Sequence, residues 1–594
     1  MVAGATPMSI RSARSERARR NLVLGLGLGL PLVFLVVFGL FPLLEQGYSS
    51  FFSWYNFRPD HFVGFADYRQ LFDDPNVPLS VLHTIVFVLV TVPAEVVIGL
   101  TGAWLTLHLS HWRTLFAIVF VIPLVVPYSS AATLFIGWFS VNGTVNQVLA
   151  NAFGDHHATN PFADAHSAFL IVALLEVWKC SSWCWLLLVG ALAASPTEVL
   201  EAGRVDGARG LRFWISVVLP TIRPMLIFVV VFRILAEAQT VSPVALLTQG
   251  GPYGGTLLSG FYAYTLGFSD FNFAAAAAFG TLIGMALLIV AVAGIAWIYG
   301  SPGRRLSSLL SLPGESVRTL GRGWNLLLRR SPAWSGSNSR TNGLASSTRW
   351  IERRRVAGAL ALALFVLLPF IGGFNEGVDQ PDTGLGWSAI STALWNSIGL
   401  TAVTVVCTLA LAIPAAWTLA RVDFRLRQAC FVLILVTLAI PGITLLLPQY
   451  QEIVWFGLIN TRLGLLLLYT AANVPLAIFF LRPAFAAIPE ELVEAMRIEG
   501  ATLPLLIRRL FLPLAKSAVV AVSVLTIVQV WNELPLAVTL ISSPSLFTLP
   551  VLIALNIGGT GSLGASWLST LPPIVVFIVT QRSFRRGVLT GALL

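Results

Sequence analysis

The sequence predicts an all-α membrane protein: about twelve transmembrane helices, arranged as two homologous six-helix halves. Three observations carry this expectation. The 594 residues are 56% hydrophobic and only 11% charged, with a mean hydropathy of +0.82, which excludes a soluble globular chain. Uncharged apolar runs recur, each near the ~20 residues that a helix needs to cross a bilayer. Finally, two polar islands repeat at a constant shift: SPTEVLEAGRVDGARGLRFWISVVLPTIRP from Ser195 and IPEELVEAMRIEGATLPLLIRRLFLPLAKS from Ile488. The shift superposes Glu201 on Glu494, Ala202 on Ala495, Arg204 on Arg497, Gly207 on Gly500 and Pro220 on Pro513. Such internal similarity marks a duplicated architecture.

The chain begins with a basic segment, 1–20, which holds five arginines. The apolar run after it is longer than the core of a signal peptide and no small-x-small cleavage site follows, so a retained first span is expected. Apolar spans of the first half (21–299) fall at about 21–44, 79–107, 115–140, 167–194, 224–247 and 275–299. A basic interval, 300–355, carries eleven arginines against Glu315 and Glu352 and is rich in Gly, Ser and Asn around 331–347. That composition reads as a cytoplasmic tether rather than a regulatory domain, suited to anionic lipid headgroups. In the second half (356–594), spans follow at about 356–373, 393–420, 428–449, 464–484, 517–540 and 567–580.

Arginine placement sets the orientation. With a cytoplasmic N-terminus, 32 of the 37 Lys and Arg residues lie in inner segments, and only Arg58, Arg69 and Arg462 lie outside. This asymmetry predicts cytoplasmic N- and C-termini and puts both repeats in the cytoplasm. The net charge of +10 therefore reads as membrane orientation, with no nucleic-acid partner implied. The cysteines Cys180, Cys184, Cys407 and Cys430 all sit in apolar spans. With no clustered His or acid beside them they are expected to pack, and no metal site is assigned.

Each repeat has a physical reading. Ser195, Pro196 and Glu198 have the spacing of a helix cap with a capping box; the second copy keeps Pro489 and Glu491 but lacks the Ser. A short helix follows, with Glu–Arg pairs at i, i+3 in Glu201/Arg204 and Glu494/Arg497. Gly207 and Gly500 permit a sharp turn, and each stands thirteen residues before the proline of Leu-Pro, where the next span begins. Two like helices on a pseudo-two-fold chain suit a partner that is itself a dimer.

Both stretches closely resemble the EAA loop of ABC importer permeases, in which Glu-Ala-Ala is followed by Gly and then Leu-Pro. Glu201, Ala202, Gly207 and Pro220 match, as do Glu494, Ala495, Gly500 and Pro513, while Gly203 and Met496 replace the second Ala and Ser517 stands where a proline often follows. The first half resembles the larger permease of carbohydrate importers of the maltose and glycerol-phosphate type in VGFADYRQLF (Val63–Phe72) and LLTQGGP (Leu246–Pro252). The second resembles the smaller permease in NSIGLTAVTVV, WTLARVDFRLR, LINTRLGLLLLY, Trp531-Asn532-Glu533 and the tail QRSFRRGVLTGALL. The resemblance implies a fused permease pair in the cytoplasmic membrane of a bacterium or archaeon. Its loops, with Arg204 and Arg497, would be coupling helices docked on a dimer of ATP-binding subunits. An extracytoplasmic binding protein would deliver a sugar-like solute. ATP-Mg would bind the partner, since neither Lys179 nor Lys516 lies in a Gly-x-x-x-x-Gly-Lys-Ser/Thr loop; no catalytic or cofactor-binding residue is assigned to this chain.

Glu95, Glu176, Lys179, Arg233, Glu237 and Glu533 fall within or at the ends of spans. A charge at a lipid-facing helix centre costs about 2.5–3.5 kcal/mol, so these should face the bundle interior, water or each other. Glu176/Lys179 and Arg233/Glu237 have helical pair spacing; a structural pair and a place on the translocation path remain open for each. Trp531, Asn532 and Glu533 are the stronger path candidates, with Glu237 beside them, because polar and aromatic groups suit sugar hydroxyls and ring faces. The alternative function is a major-facilitator-like secondary transporter, also built of six plus six spans. Its signature belongs after the second span, here the short 108–114, whereas this chain's follows the fourth. No metalloprotease motif, nucleophile elbow or carboxylate cluster supports a membrane enzyme.

Overall fold

A computed structural model describes residues 24–55, 58–109, 112–153, 160–299, 345–376, 385–439, 442–557 and 562–589. The basic segment 1–20 and most of the interval 300–355 lie outside the described residues. The described residues are mostly helical. In order, the first half comprises α1 (Gly27–Ser49), the hairpin β1 (Phe52–Tyr55) and β2 (Arg58–Phe62), α2 (Ala66–Asp73), α3 (Asn76–His108), α4 (Arg113–Val125), α5 (Tyr128–Phe139), α6 (Thr144–Phe153) and α7 (Ala165–Ala193). It continues with α8 (Thr197–Val205), α9 (Gly210–Thr221), α10 (Arg223–Glu237), α11 (Ser242–Leu247), α12 (Ser259–Phe268) and α13 (Phe273–Tyr299).

The second half comprises α14 (Ala345–Glu376), α15 (Trp387–Arg421), α16 (Arg427–Ala439), α17 (Gly442–Trp455), α18 (Arg462–Ala486), α19 (Glu490–Ile498), α20 (Leu503–Leu514) and α21 (Lys516–Asn532). It ends with α22 (Pro535–Leu540), α23 (Leu549–Leu555) and α24 (Ser562–Leu589). Helix α14 starts at Ala345, inside the interval read as a tether up to 355.

Among the described residues, seven helices are long and apolar enough to cross a membrane unbroken, and eleven spans result if each bent pair counts as one. The stretch predicted as a span at 356–373 contains only the shorter apolar run Arg355–Phe370. The predicted span 115–140 is two helices, α4 and the segment from Tyr128, meeting at 98°; α16 and α17 meet at 97°. Pro127 carries the first of these breaks with ψ 150°, because a proline removes the helical donor and sterically disfavours continuation. The spans expected at 224–247 and 517–540 end early, at Glu237 and Asn532, and the short helices α11 and α22 follow each break.

The first helix of each half lies against the other half. Helix α1 passes α15 so closely that a Cβ on Gly27 would sit 2.4 Å from Thr418 Oγ1. Reciprocally, Trp178 Nε1 of α7 donates to Val366 O and Trp138 Nε1 of α5 to Pro369 O, both at 3.0 Å, on α14. The largest buried apolar cluster accordingly mixes the halves, with Phe120, Trp185 and Leu188 of the first and Leu419, Phe485 and Phe511 of the second. At ~25 cal/mol per Å² of buried apolar surface, a shared core makes the two halves one packing unit.

Candidate functional site

The two repeats fold alike. Helices α8 and α19 each end on a glycine in the left-handed region, Gly207 at φ +79° and Gly500 at φ +82°. In the first copy Gly207 N donates to Arg204 O at 3.1 Å and Ala208 N to Gly203 O at 3.0 Å. In the second, Gly500 N donates to Arg497 O at 3.0 Å and Ala501 N to Met496 O at 2.9 Å. This nested pair of bonds is a Schellman C-cap, which satisfies carbonyls that the helix end would leave orphaned. A Cβ at Gly207 or Gly500 would meet nothing within 4 Å, so the demand for glycine there is conformational, not spatial.

After the turn, α9 runs to the Leu-Pro containing Pro220 and meets α10 at 83°; α20 runs to the Leu-Pro containing Pro513 and meets α21 at 82°. Each repeat is thus one short helix, one glycine turn and one bend into a span. The departures from Glu-Ala-Ala have a local reason in the first copy. A Cβ on Gly203 would sit 2.6 Å from Val217 Cγ2, so α8 lies tight on the helix that follows it.

Glu201, Ala202, Arg204, Glu494, Ala495 and Arg497 are all exposed on these helices. The expected cap and one of the expected ion pairs do not form. Ser195 Oγ donates backward to Ala191 O at 3.1 Å, and Pro196 caps α8 without a side-chain bond; the preceding helix α7 offers a free terminal carbonyl, which wins the hydroxyl. Arg497 reaches Glu490 at 3.9 Å rather than Glu494, one turn further back on the same helix. Arg204 lies over the Phe213 ring, 5.6 Å from its centre.

Two residues that the sequence reading passed over stand out. Val205 and Ile498, the last residues of α8 and α19, are 86% and 87% exposed. They correspond under the same shift as the glycines, and that correspondence was the available signal.

The buried charges form two groups. Arg233 on α10 donates to both carboxylate oxygens of Glu95 on α3, at 2.7 and 3.2 Å, and also bonds Glu237 and approaches Glu176 at 3.8 Å. The i, i+4 pair Arg233/Glu237 therefore forms, with Glu95 as a partner 138 residues away. Glu95, Cys180 and Glu237 bring potential ligand atoms within 4.8 Å of one another, and the guanidinium bonded to two of them supplies the cation. Glu176/Lys179 do not neutralise each other. Glu176 accepts from Tyr128 Oη at 2.9 Å. Lys179 donates to Pro123 O at 3.3 Å, to Val126 O and to Asn532 Oδ1 at 2.7 Å. The break between α4 and α5 frees those carbonyls from helical partners, and the ammonium takes them.

The path candidates sit at the break between α21 and α22. Trp531 Nε1 donates to Ser569 O at 2.9 Å. Asn532 Nδ2 donates to Val528 O at 2.8 Å and reaches Leu124 O at 3.3 Å. Glu533 accepts from Tyr469 Oη and Leu536 N, each at 2.7 Å, and from Ala537 N at 3.2 Å, which caps α22. Glu237 lies in the Arg233 group, with its Oε2 buried and unpaired.

Comparison with known proteins follows the same lines. The pattern of the family described as binding-protein-dependent transport system inner membrane component matches residues 409–587. The sulfoquinovosyl glycerol transport system permease protein of Agrobacterium fabrum is 30% identical over 243 residues, covering 40% of this chain and 78% of that one. The trehalose transport system permease protein of Mycobacterium tuberculosis is 34% identical over 209 residues, covering 34% of this chain and 76% of that one. A chain from a bacterial alginate ABC transporter, solved with an alginate pentasaccharide-bound periplasmic protein, is 17% identical, with 47% of this chain and 94% of that one covered at a TM-score of 0.41.

Proposed function

From the premise that this chain belongs to the family of binding-protein-dependent transport system inner membrane components, we propose that α8 and α19 are the two docking helices through which ATP hydrolysis drives it. The chain is a multi-pass inner-membrane permease of an ABC importer, not an enzyme. The proposal concerns how it is driven and what it carries. One polypeptide occupies both permease positions, which a pair of separate subunits would otherwise fill. Residues 21–299 form one unit and 356–594 the other, joined through the basic interval 300–355.

The observation that carries the reading is the matched geometry of the repeats: a short exposed helix, a Schellman turn at Gly207 or Gly500, and a bend of 83° or 82° into a span. A docking helix must be rigidly joined to the spans it moves, and these units are joined in one way twice. Their partner is a dimer of ATP-binding subunits that hold ATP-Mg, while this chain binds no cofactor. Closure of that dimer draws α8 and α19 together and turns the halves outward, where an extracytoplasmic binding protein delivers solute. Both termini lie in the cytoplasm, and the positive charge of the sequence 300–355 suits anionic lipid headgroups. The solute is a sugar or a related solute, a reading supported by the names of the sulfoquinovosyl glycerol and trehalose relatives. Trp531, Asn532, Glu533 and Glu237 shape its path.

Co-purification in detergent tests the docking. The wild-type chain retains an ATP-binding subunit, and uptake in vesicles requires that subunit's hydrolysis. Uptake driven by an ion gradient alone, with the ATPase absent, sinks the reading in favour of a facilitator.

A further inference from the structure

Arg421 closes α15, and its side chain is only 11% exposed. Its guanidinium donates to Phe485 O at 2.7 and 3.1 Å, to Ile488 O, and to Glu490 Oε2 at 2.7 Å. Phe485 belongs to the last turn of α18, Ile488 to the connection, and Glu490 to the first turn of α19. The same group lies over the Phe511 ring of α20, 5.5 Å from its centre. Phe511 in turn meets Phe485 edge-on at 5.7 Å and Trp417 of α15 edge-on at 6.2 Å. One side chain therefore joins the ends of two spans to the helix before and the helix after the Gly500 turn. Phe485 O also accepts from Ile488 N at 3.4 Å, and positive charge beside the C-terminal end of α18 is favoured by the helix dipole. The planar fork makes four such bonds at once, two to Phe485 O and one each to Ile488 O and Glu490, where an ammonium has only three donors.

The first half is built differently at the matching places. Thr197 stands where the second copy has Glu490, and α3 ends on His108, whose Nδ1 faces Trp104 O of its own helix at 2.8 Å. There α8 packs closely on α9, through Gly203 against Val217.

Building on the docking role assigned above, we infer that Arg421 is the positioning residue that transmits movement of the second docking helix to α15 and α18. The second site is then a charge-clamped lever.

The test uses the full chain purified with its ATP-binding subunits, with Cys407 and Cys430 replaced by Ser. One pair of spin labels, at Arg209→Cys and Thr502→Cys, reads the approach of the docking loops. A second pair, at the exposed Tyr253→Cys and Trp387→Cys, reads the opposite end of the bundle. MgATP with vanadate shifts both distances in the wild type. In R421A the docking pair still shifts, but the far pair keeps less than about a third of its wild-type change. R421K restores part of that change and E490Q loses only part, because the carbonyl contacts persist in E490Q. A full far-pair shift in R421A overturns the inference. So does R421K behaving as wild type while R421A no longer holds its partner. If the wild type itself retains no ATP-binding subunit, the docking reading fails rather than the lever.

Discussion

Lys179 and Asn532, 353 residues apart, share a 2.7 Å hydrogen bond between the fourth span of one half and the broken fifth span of the other. The ammonium is buried and also holds Val126 O at the α4–α5 break. One cation thus ties two interrupted helices across the interface between halves. Interruptions of this kind are tolerated in membranes only where something satisfies the freed backbone groups.

Asn532→Leu is expected to destabilise the solubilised protein by about 1–3 kcal/mol, the cost of stripping a partner from a buried polar group. Lys179→Met should cost more, since it frees Pro123 O and Val126 O as well. The double variant should cost less than the sum, because the shared bond is lost only once. Thermal unfolding in detergent, followed for all three variants, measures this; strict additivity would separate the two residues energetically.

Arg233 offers a sharper contrast. Arg233→Leu leaves Glu95 and Glu237 buried without their cation, so a loss of about 3–5 kcal/mol is expected. Adding Glu95→Leu and Glu237→Leu should recover much of that loss, because apolar replacements of a whole buried ion group are often tolerated. Yield of folded protein and unfolding temperature report both steps. A triple variant no better than Arg233→Leu alone would mean that the group contributes more than neutralisation.

These residues also mark what was legible in the sequence. The glycine turns, the Leu-Pro bends and the i, i+4 pair Arg233/Glu237 depend on local spacing, and each stands where spacing put it. Glu95 was invisible as Arg233's partner because the pairing is set by packing of α3 on α10, not by sequence distance. The spacing of Glu176 and Lys179 permits a pair without requiring one; the break at Pro127 exposes stronger acceptors for Lys179 nearby. Ser195 shows the same competition, its hydroxyl taken by Ala191 O before it reaches the next helix. The hairpin Phe52–Phe62 and the short helices α11, α12, α22 and α23 escaped hydropathy reading because they are too short for it. Bends near 98° likewise leave the apolar count of a span unchanged.

Gly500→Val should break the Schellman turn, since a β-branched residue at φ +82° is strained. About 1–3 kcal/mol of local strain is expected, enough to redirect α20 without preventing membrane insertion. Gly500→Asn should be milder, because Asn enters the left-handed region more readily and a Cβ there meets nothing. ATP-driven uptake falls in the order wild type, Asn, Val, with equal amounts of protein in the membrane. Normal transport by Gly500→Val would remove the turn from the coupling mechanism, and Gly207 allows the same comparison in the first half.

Val205 and Ile498 carry the most direct test of docking. Both are nearly fully exposed, so Val205→Ser and Ile498→Ser should change stability by no more than about 0.5 kcal/mol. Buried in a partner's groove, each aliphatic side chain is worth about 1.5–3 kcal/mol, roughly a ten- to hundredfold change in affinity for the ATP-binding subunit. Titrating that subunit onto the detergent-purified chain reads the change directly. If the two helices dock alike, the two serine variants weaken binding by similar factors. If one variant weakens binding and the other does not, the matched exposure of these two side chains has a partner on one side only.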